Sequence, residues 1–99
     1  MTTFSDSVYK VVKTIPKGKV TTYKAVAEAL NCKAYRAVGN ALNRNPYSPE
    51  VACHRVINTN GSLGGFASGA KNKKRLLKEE GVDIMNNKID LNKYFYKLK

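Results

Sequence analysis

The chain's one histidine directly follows one of its two cysteines, in the run Val51-Ala52-Cys53-His54-Arg55-Val56-Ile57. A thiol attacks as thiolate, and a neighbouring imidazole or cation favours that form. The pair therefore suits nucleophilic chemistry at the sulfur of Cys53, with His54 as its base. The competing reading of Cys53 taken alone is a free cysteine that only packs, since free cysteines are among the most buried residues. A zinc site is excluded, because Cys32, Cys53 and His54 lack a fourth ligand and the usual paired spacing. No cofactor motif appears either. Leu63-Gly64-Gly65-Phe66-Ala67-Ser68-Gly69 is glycine-rich but lacks the Gly-Lys-Ser/Thr ending of a phosphate-cradling loop.

Around that run, 99 residues make one domain, with hydrophobic residues at 42%, enough for a single core. Lys and Arg number 18 against 7 Asp and Glu, a net +11. Such an excess points to a polyanion, with nucleic acid ahead of an anionic membrane surface. No apolar run approaches the ~20 residues of a membrane span. Residues 1–20 carry Asp6, Lys10 and Lys13 among their apolar positions and hold no signal-peptide core. The expectation is a monomer in a reducing cytoplasm, or a nucleus in a eukaryote, where two cysteines form no disulfide framework.

The elements that must position Cys53 are mostly helical. Apolar residues at 4, 8, 11, 12 and 15 predict a first helix, capped by Ser5 or Asp6 and ended by Ile15-Pro16-Lys17-Gly18. A second helix runs over 24–30, with Thr21 or Thr22 as cap and Val26, Ala27 and Leu30 inward. After the turn Asn31-Cys32-Lys33, a third helix covers 34–44. Two short helices joined by about three residues read as helix-turn-helix, placed over about 22–45. The Pro-rich stretch Asn45-Pro46-Tyr47-Ser48-Pro49-Glu50 delivers the chain to Cys53, within an active-site loop of about 45–56. Val56-Ile57 is a short strand and Asn58-Thr59-Asn60-Gly61 a turn. A basic helix over 70–80 has Leu76 and Leu77 inward and closes at Gly81, while Lys71, Lys73, Lys74, Arg75 and Lys78 read as its solvated face. Residues 82–99 form a tail, with a small wing and a final helical turn. The fold class is mainly α, a winged-helix-like DNA-binding domain with a small β element.

Over residues 4–95 the chain resembles the DNA-binding, catalytic domain of the alkylguanine-DNA alkyltransferases (methylated-DNA–protein-cysteine methyltransferases). The resemblance rests on Ile15-Pro16-x-Gly18, Val20-Thr21-Thr22-Tyr23, Arg36-Ala37-Val38-Gly39, Asn45-Pro46, Cys53-His54-Arg55-Val56, Gly61-x-Leu63-x-Gly65 and Leu76-Leu77-x-x-Glu80-Gly81, in the family's order and spacing. It implies that Cys53 accepts an alkyl group from O6 of guanine in double-stranded DNA, irreversibly and without a cofactor. His54 would deprotonate the thiol through a water, and Glu80 would orient that imidazole. Asn45 would fix the backbone near the cysteine, and Tyr23 would contact the flipped nucleotide and help protonate the departing guanine. Arg36 would fill the gap left by the extruded base, with Ala34 and Ala37 allowing the third helix close approach in the minor groove. Val56, Gly65, Phe66 and Ala67 would wall the pocket.

Three positions depart from the family pattern: Ala52 replaces a proline, Phe66 a tyrosine, and Ala67 a serine. The chain is also short, like the alkyltransferase-like proteins, which sense alkylated DNA without transfer. Those proteins carry tryptophan or alanine at the position of Cys53. Lesion sensing without transfer is therefore the alternative, and a regulatory helix-turn-helix protein with a packed Cys53 is a third.

Overall fold

The computed structural model describes residues 3–43, 53–63 and 70–98. Asn45, Gly65, Phe66 and Ala67, and the loop leading into Cys53, lie outside the described residues. Helix α1 spans Phe4–Val12 and buries Val8, Tyr9 and Val12. Its cap is Thr3, not Ser5 or Asp6. The Thr3 hydroxyl accepts from the Asp6 N–H at 3.1 Å, and the Asp6 carboxylate accepts from the Thr3 N–H at 3.3 Å. This reciprocal pair satisfies two N–H groups at once, which neither Ser5 nor Asp6 achieves as a cap. The helix also stops short of Ile15, as Thr14 and Ile15 donate back only three residues and tighten the chain toward Pro16.

Strand β1 (Thr21–Thr22) leads directly into α2 (Tyr23–Ala29), and the Thr22 hydroxyl caps α2 by accepting from Ala25 N–H at 3.0 Å. The turn to α3 (Tyr35–Asn43) is built by Asn31 at φ 58°. Asn31 donates to Glu28 and Cys32 to Ala27, each at 3.0 Å, a Schellman closure that asparagine tolerates better than most residues. Cys32, one residue beyond, packs on the core beneath. The helix-turn-helix is therefore present, and α1 braces it: the Tyr9 hydroxyl donates to the Ala41 carbonyl at 2.7 Å in a buried bond.

A 3-10 turn, Cys53–Arg55, precedes β2 (Val56–Ile57), which pairs in parallel with β1, Thr21 opposite Val56 and Thr22 opposite Ile57. Successive strand residues face opposite ways. Val56 thus enters a cluster with Val8, Val12, Val26, Val38 and Leu42, while Ile57 enters a second one with Val20, Leu77, Val82 and Ile89. Strand β2 is the partition between a helix-turn-helix end and a second end built on α4 (Ala70–Glu79). The tail closes the second end. Asn86 and Asn87, both at positive φ, make a two-residue hairpin turn between Met85 and Lys88, followed by α5 (Leu91–Tyr94). Residues 94–96 then bond to both sides of Val20, at 2.9 and 2.7 Å, beside β1.

Helix α4 ends in a second Schellman closure, Gly81 donating to Lys78 and Val82 to Leu77, each at 3.0 Å. Gly81 holds φ +88° with nothing within 4 Å of a built Cβ, so backbone conformation rather than space demands glycine there. Gly81→Ala should therefore cost roughly 1–2 kcal/mol through left-handed strain alone. The melting temperature should drop by at least ~4 °C, and an unchanged value would show that the residue before it, Glu80, is held by other means.

Candidate active site and nucleic-acid interface

The 3-10 turn gathers the chemistry. Cys53 and His54 are nearly buried, at 6% and 5% exposure. His54 Nε2 lies 3.0 Å from Glu80 Oε2. A carboxylate only accepts, so Nε2 carries the proton and the other ring nitrogen, Nδ1, is left as the acceptor. Arg55 grips the same carboxylate with two donors, Nε to Oε1 at 2.8 Å and an Nη to Oε2 at 2.5 Å, while its other Nη donates to the Ile15 carbonyl at 2.7 Å. Glu80 stands at the end of α4 and Ile15 at the turn after α1, so Arg55 ties two separate segments to the cysteine turn.

Burial pushes His54 below its ordinary range, only partly opposed by the bond and charge of Glu80. Its imidazole is consequently neutral at pH 7 and able to take a proton. Burial alone would raise Glu80, but the bonds from Arg55 and His54 outweigh it and hold the carboxyl below its usual range.

The second half of the site is a residue that the periodicity of charge concealed. Lys73 is fully buried, at 0% exposure, and does not belong to the solvated face of α4. Its Nζ donates to the Val56 carbonyl at 2.7 Å, lies 3.5 Å from the Tyr23 hydroxyl, and sits 5.7 Å from the Tyr23 ring centre. Burial lowers its pKa to about 8, with the negative charge of an ionised Cys53 acting in the opposite sense. Tyr23 is raised by burial and by the same Cys53 charge. The signal was available in the spacing: positions 73, 76, 77 and 80 share one side of a helix, and the two leucines among them mark it as the inner side.

Tyr23 also opens onto a cavity of about 450 Å³ along α3, whose walls include Arg36, Gly39, Asn40, Asn43 and Thr59. Arg36, Asn40 and Asn43 follow helical spacing on one exposed face of α3. That face runs close to Tyr23: a Cβ at Gly39 would make an ordinary contact with the ring at 4.0 Å. Ala34 and Ala37 lie at the start of the same helix, exposed and half-buried. Val56 does not line this cavity; its side chain is fully buried and it meets the site through its carbonyl. Cys53 does not line this cavity, but Tyr23 packs against the cluster that contains it, so the structure brings Cys53, His54, Glu80 and Tyr23 into one region and sets Arg36 on the cavity wall. Asn40, Asn43 and Thr59 were not read from the sequence as site residues.

The two lowered pKa values give the fold an acid-labile character. His54, whose folded value lies under 6.5, contributes stability that is intact above 6.5 and declines as pH falls from there toward the folded value. Glu80 contributes stability above 4.5 that is lost as pH falls through its own depressed value. Melting temperature should therefore decline in two stages on acidification, and His54→Gln should remove the upper stage only. A flat profile between about pH 7 and 5 in the unmodified protein would contradict the neutral buried imidazole.

Residues 3–82 match the family described as 6-O-methylguanine DNA methyltransferase, DNA binding domain. The chain is 52% identical over 81 residues to a methylated-DNA–protein-cysteine methyltransferase of Methanosarcina acetivorans, covering 81% of this chain and 52% of that protein. It is 44% identical over 87 residues to a bifunctional methyltransferase/endonuclease of Picrophilus torridus, covering 87% of this chain and 29% of the other. It thus spans about half or less of the length of these relatives. S. pombe Atl1, solved in complex with damaged DNA containing O6-carboxymethylguanine, superposes with a TM-score of 0.86 at 34% identity, covering 95% of this chain and 94% of Atl1. The O6-methylguanine-DNA methyltransferase of Pyrococcus kodakaraensis gives 0.74 at 46% identity, covering 83% and 48%. With most of its length matched by the domain family and by methyltransferases at about half identity, the chain belongs to the 6-O-methylguanine DNA methyltransferase family.

Proposed function

We propose that this protein removes an alkyl group, methyl in the simplest case, from O6 of guanine in duplex DNA by taking it onto the sulfur of Cys53, once per molecule. The observation that carries the reading is the bonded run from Arg55 through Glu80 to His54, laid beside a cysteine in a turn that also faces a buried lysine. His54 Nδ1 accepts the thiol proton through a water, which lets two sequence neighbours cooperate without direct contact. The thiolate attacks the alkyl carbon, an S–C bond forms, the C–O bond to guanine breaks, and the electron pair goes to the base. Tyr23, at the cavity edge, donates the proton that neutralises the departing guanine, and the Lys73 ammonium beside it stabilises both the thiolate and the phenolate left behind. The reacting carbon is out of reach inside a base stack, so the nucleotide must be extruded, with Arg36 at the cavity rim taking its place. Asn45, Gly65, Phe66 and Ala67 are assigned by resemblance alone: Asn45 as the brace of the cysteine turn, the others as pocket wall. With +11 overall, association is governed by phosphates and needs no particular sequence.

The second reading, recognition of the lesion without transfer, is favoured by one observation: S. pombe Atl1, bound to damaged DNA, matches this chain over almost its whole length. The retained Cys53, with its imidazole and carboxylate in place, favours transfer.

Incubation with duplex containing O6-methylguanine, followed by intact-mass measurement, should add one methyl group per molecule, and Cys53→Ala should abolish the gain. Lesion-dependent binding without the gain would establish the second reading and sink the first. A separate prediction concerns Lys73→Met, which retains the volume of the buried chain without its charge. Single-turnover transfer at neutral pH should slow at least ~10-fold, the effect of losing about 1.4 kcal/mol of charge stabilisation in the transition state. The difference from the unmodified protein should narrow above about pH 8, where the amine itself loses its proton. A ratio that stays constant across that range would mean that the ammonium is only structural.

A further inference from the structure

We propose that the outer face of α4 is a second nucleic-acid contact, holding the phosphate backbone of a duplex other than the one engaged by α3, so that one molecule bridges two duplexes. The inference rests on the reading that α3 takes the first duplex, and goes beyond it.

Lys71, Lys74, Arg75 and Lys78 stand at i, i+3, i+4 and i+7, and so form a single stripe along α4. Lys71, Arg75 and Lys78 are exposed and Lys74 is half-exposed. Helical geometry sets the stripe opposite Lys73 and Leu77, both of which are fully buried. Lys73 points to Tyr23 and Val56, which is toward the candidate active site. The stripe therefore faces away from that site and from the α3 cavity, and a duplex seated on α3 leaves it uncovered.

The stripe is also arranged rather than merely charged. Arg75 is held by Asn72 Oδ1, at 3.2 and 2.6 Å, and by Glu79 at 2.7 Å, so its guanidinium is fixed on the surface. Lys74 Nζ reaches Asn87 Oδ1 at 3.4 Å, joining α4 to the hairpin whose next residue is the exposed Lys88. Among the described residues, Lys71 and Lys78 enter no ion pair. From position 71 to 78 the stripe runs about 10 Å along the helix axis, the span of about three phosphates of one strand. Lys74 and Lys78, like charges at i and i+4, repel one another, and among the described residues neither is in an ion pair; a phosphate backbone supplies the anions that would neutralise them.

The test uses an immobilised duplex, a fluorescent duplex in solution, and the whole protein. The unmodified protein should retain the fluorescent duplex on the immobilised one. The variant K71A/K74A/R75A/K78A, checked for an unchanged melting temperature, should bind a single duplex in a mobility shift yet lose retention at least ~10-fold. Retention should fall with salt at a log–log slope of about −3, as for three to four released counterions. Binding to one duplex without retention of a second would overturn the proposal and leave the repair reading intact, whereas no binding to duplex at all would remove both. Retention that survives the four substitutions would assign bridging to a protein dimer, and equal loss of single-duplex binding would assign the stripe to the first duplex. Either overturns the proposal, as would stripe-dependent capture by anionic phospholipid vesicles without bridging.

Discussion

One carboxylate carries the architecture of the site. Glu80 accepts two bonds from Arg55 and one from His54, and it does so from a side chain that is 12% exposed. The Arg55 fork fixes the plane of the carboxylate, which in turn fixes the ring of His54 and leaves a defined nitrogen as its base. Because the third donor of Arg55 goes to the Ile15 carbonyl, the same guanidinium joins the end of α1, the end of α4 and the cysteine turn. Burying paired charges seldom adds net stability over apolar packing. What this network secures is geometry: three chain segments far apart in sequence are brought to one spot with little freedom.

Helix α4 serves the site twice. Lys73 and Glu80 lie seven residues apart, two turns along one face, so one packed helix delivers a cation to the Tyr23 side of Cys53 and an anion to the His54 side. The leucine at 77, fully buried between them, sets the depth of both. The thiol is thereby flanked by a group that can take its proton and a group that can hold its charge. A single rotation of α4 would misplace both, which is why its C-terminal closure at Gly81 matters to the chemistry as well as to the fold.

Much of this was legible in the residues, and the failures have physical causes. The apolar spacing of α1, the helix-turn-helix with its short closure, the Val56-Ile57 strand and the glycine after Glu80 all follow from local rules. The cap of α1 was misplaced because serine and aspartate each cap well, and only the reciprocal Thr3–Asp6 bonds decide between them. Lys73 reads as solvated from composition because a lysine among lysines carries no sign of its own burial; only its phase relative to Leu76 and Leu77 does. The pairing of residues 94–96 with Val20 joins segments over seventy positions apart and leaves no local trace. The Cys53-His54 juxtaposition was plain in the sequence, whereas the cavity wall of Asn40, Asn43 and Thr59 arises only when α3 and the turn after β2 are folded together.

The low exposure of Cys53 suits the proposed single-use transfer. A thiolate open to bulk water is consumed by oxidants and stray electrophiles. A cysteine that is only 6% exposed presents little of its sulfur to such reagents. In that proposed step the same enclosure would exclude water from the point where charge moves, so that fixed dipoles rather than solvent meet the developing anion. On the proposed reading, the alkylated base would approach from the cavity between Tyr23 and α3, past the Tyr23 ring that packs against the cysteine's cluster. Transfer would in that way be conditional on DNA being bound, because Tyr23 and Arg36, which border that approach, are the residues proposed to hold the substrate.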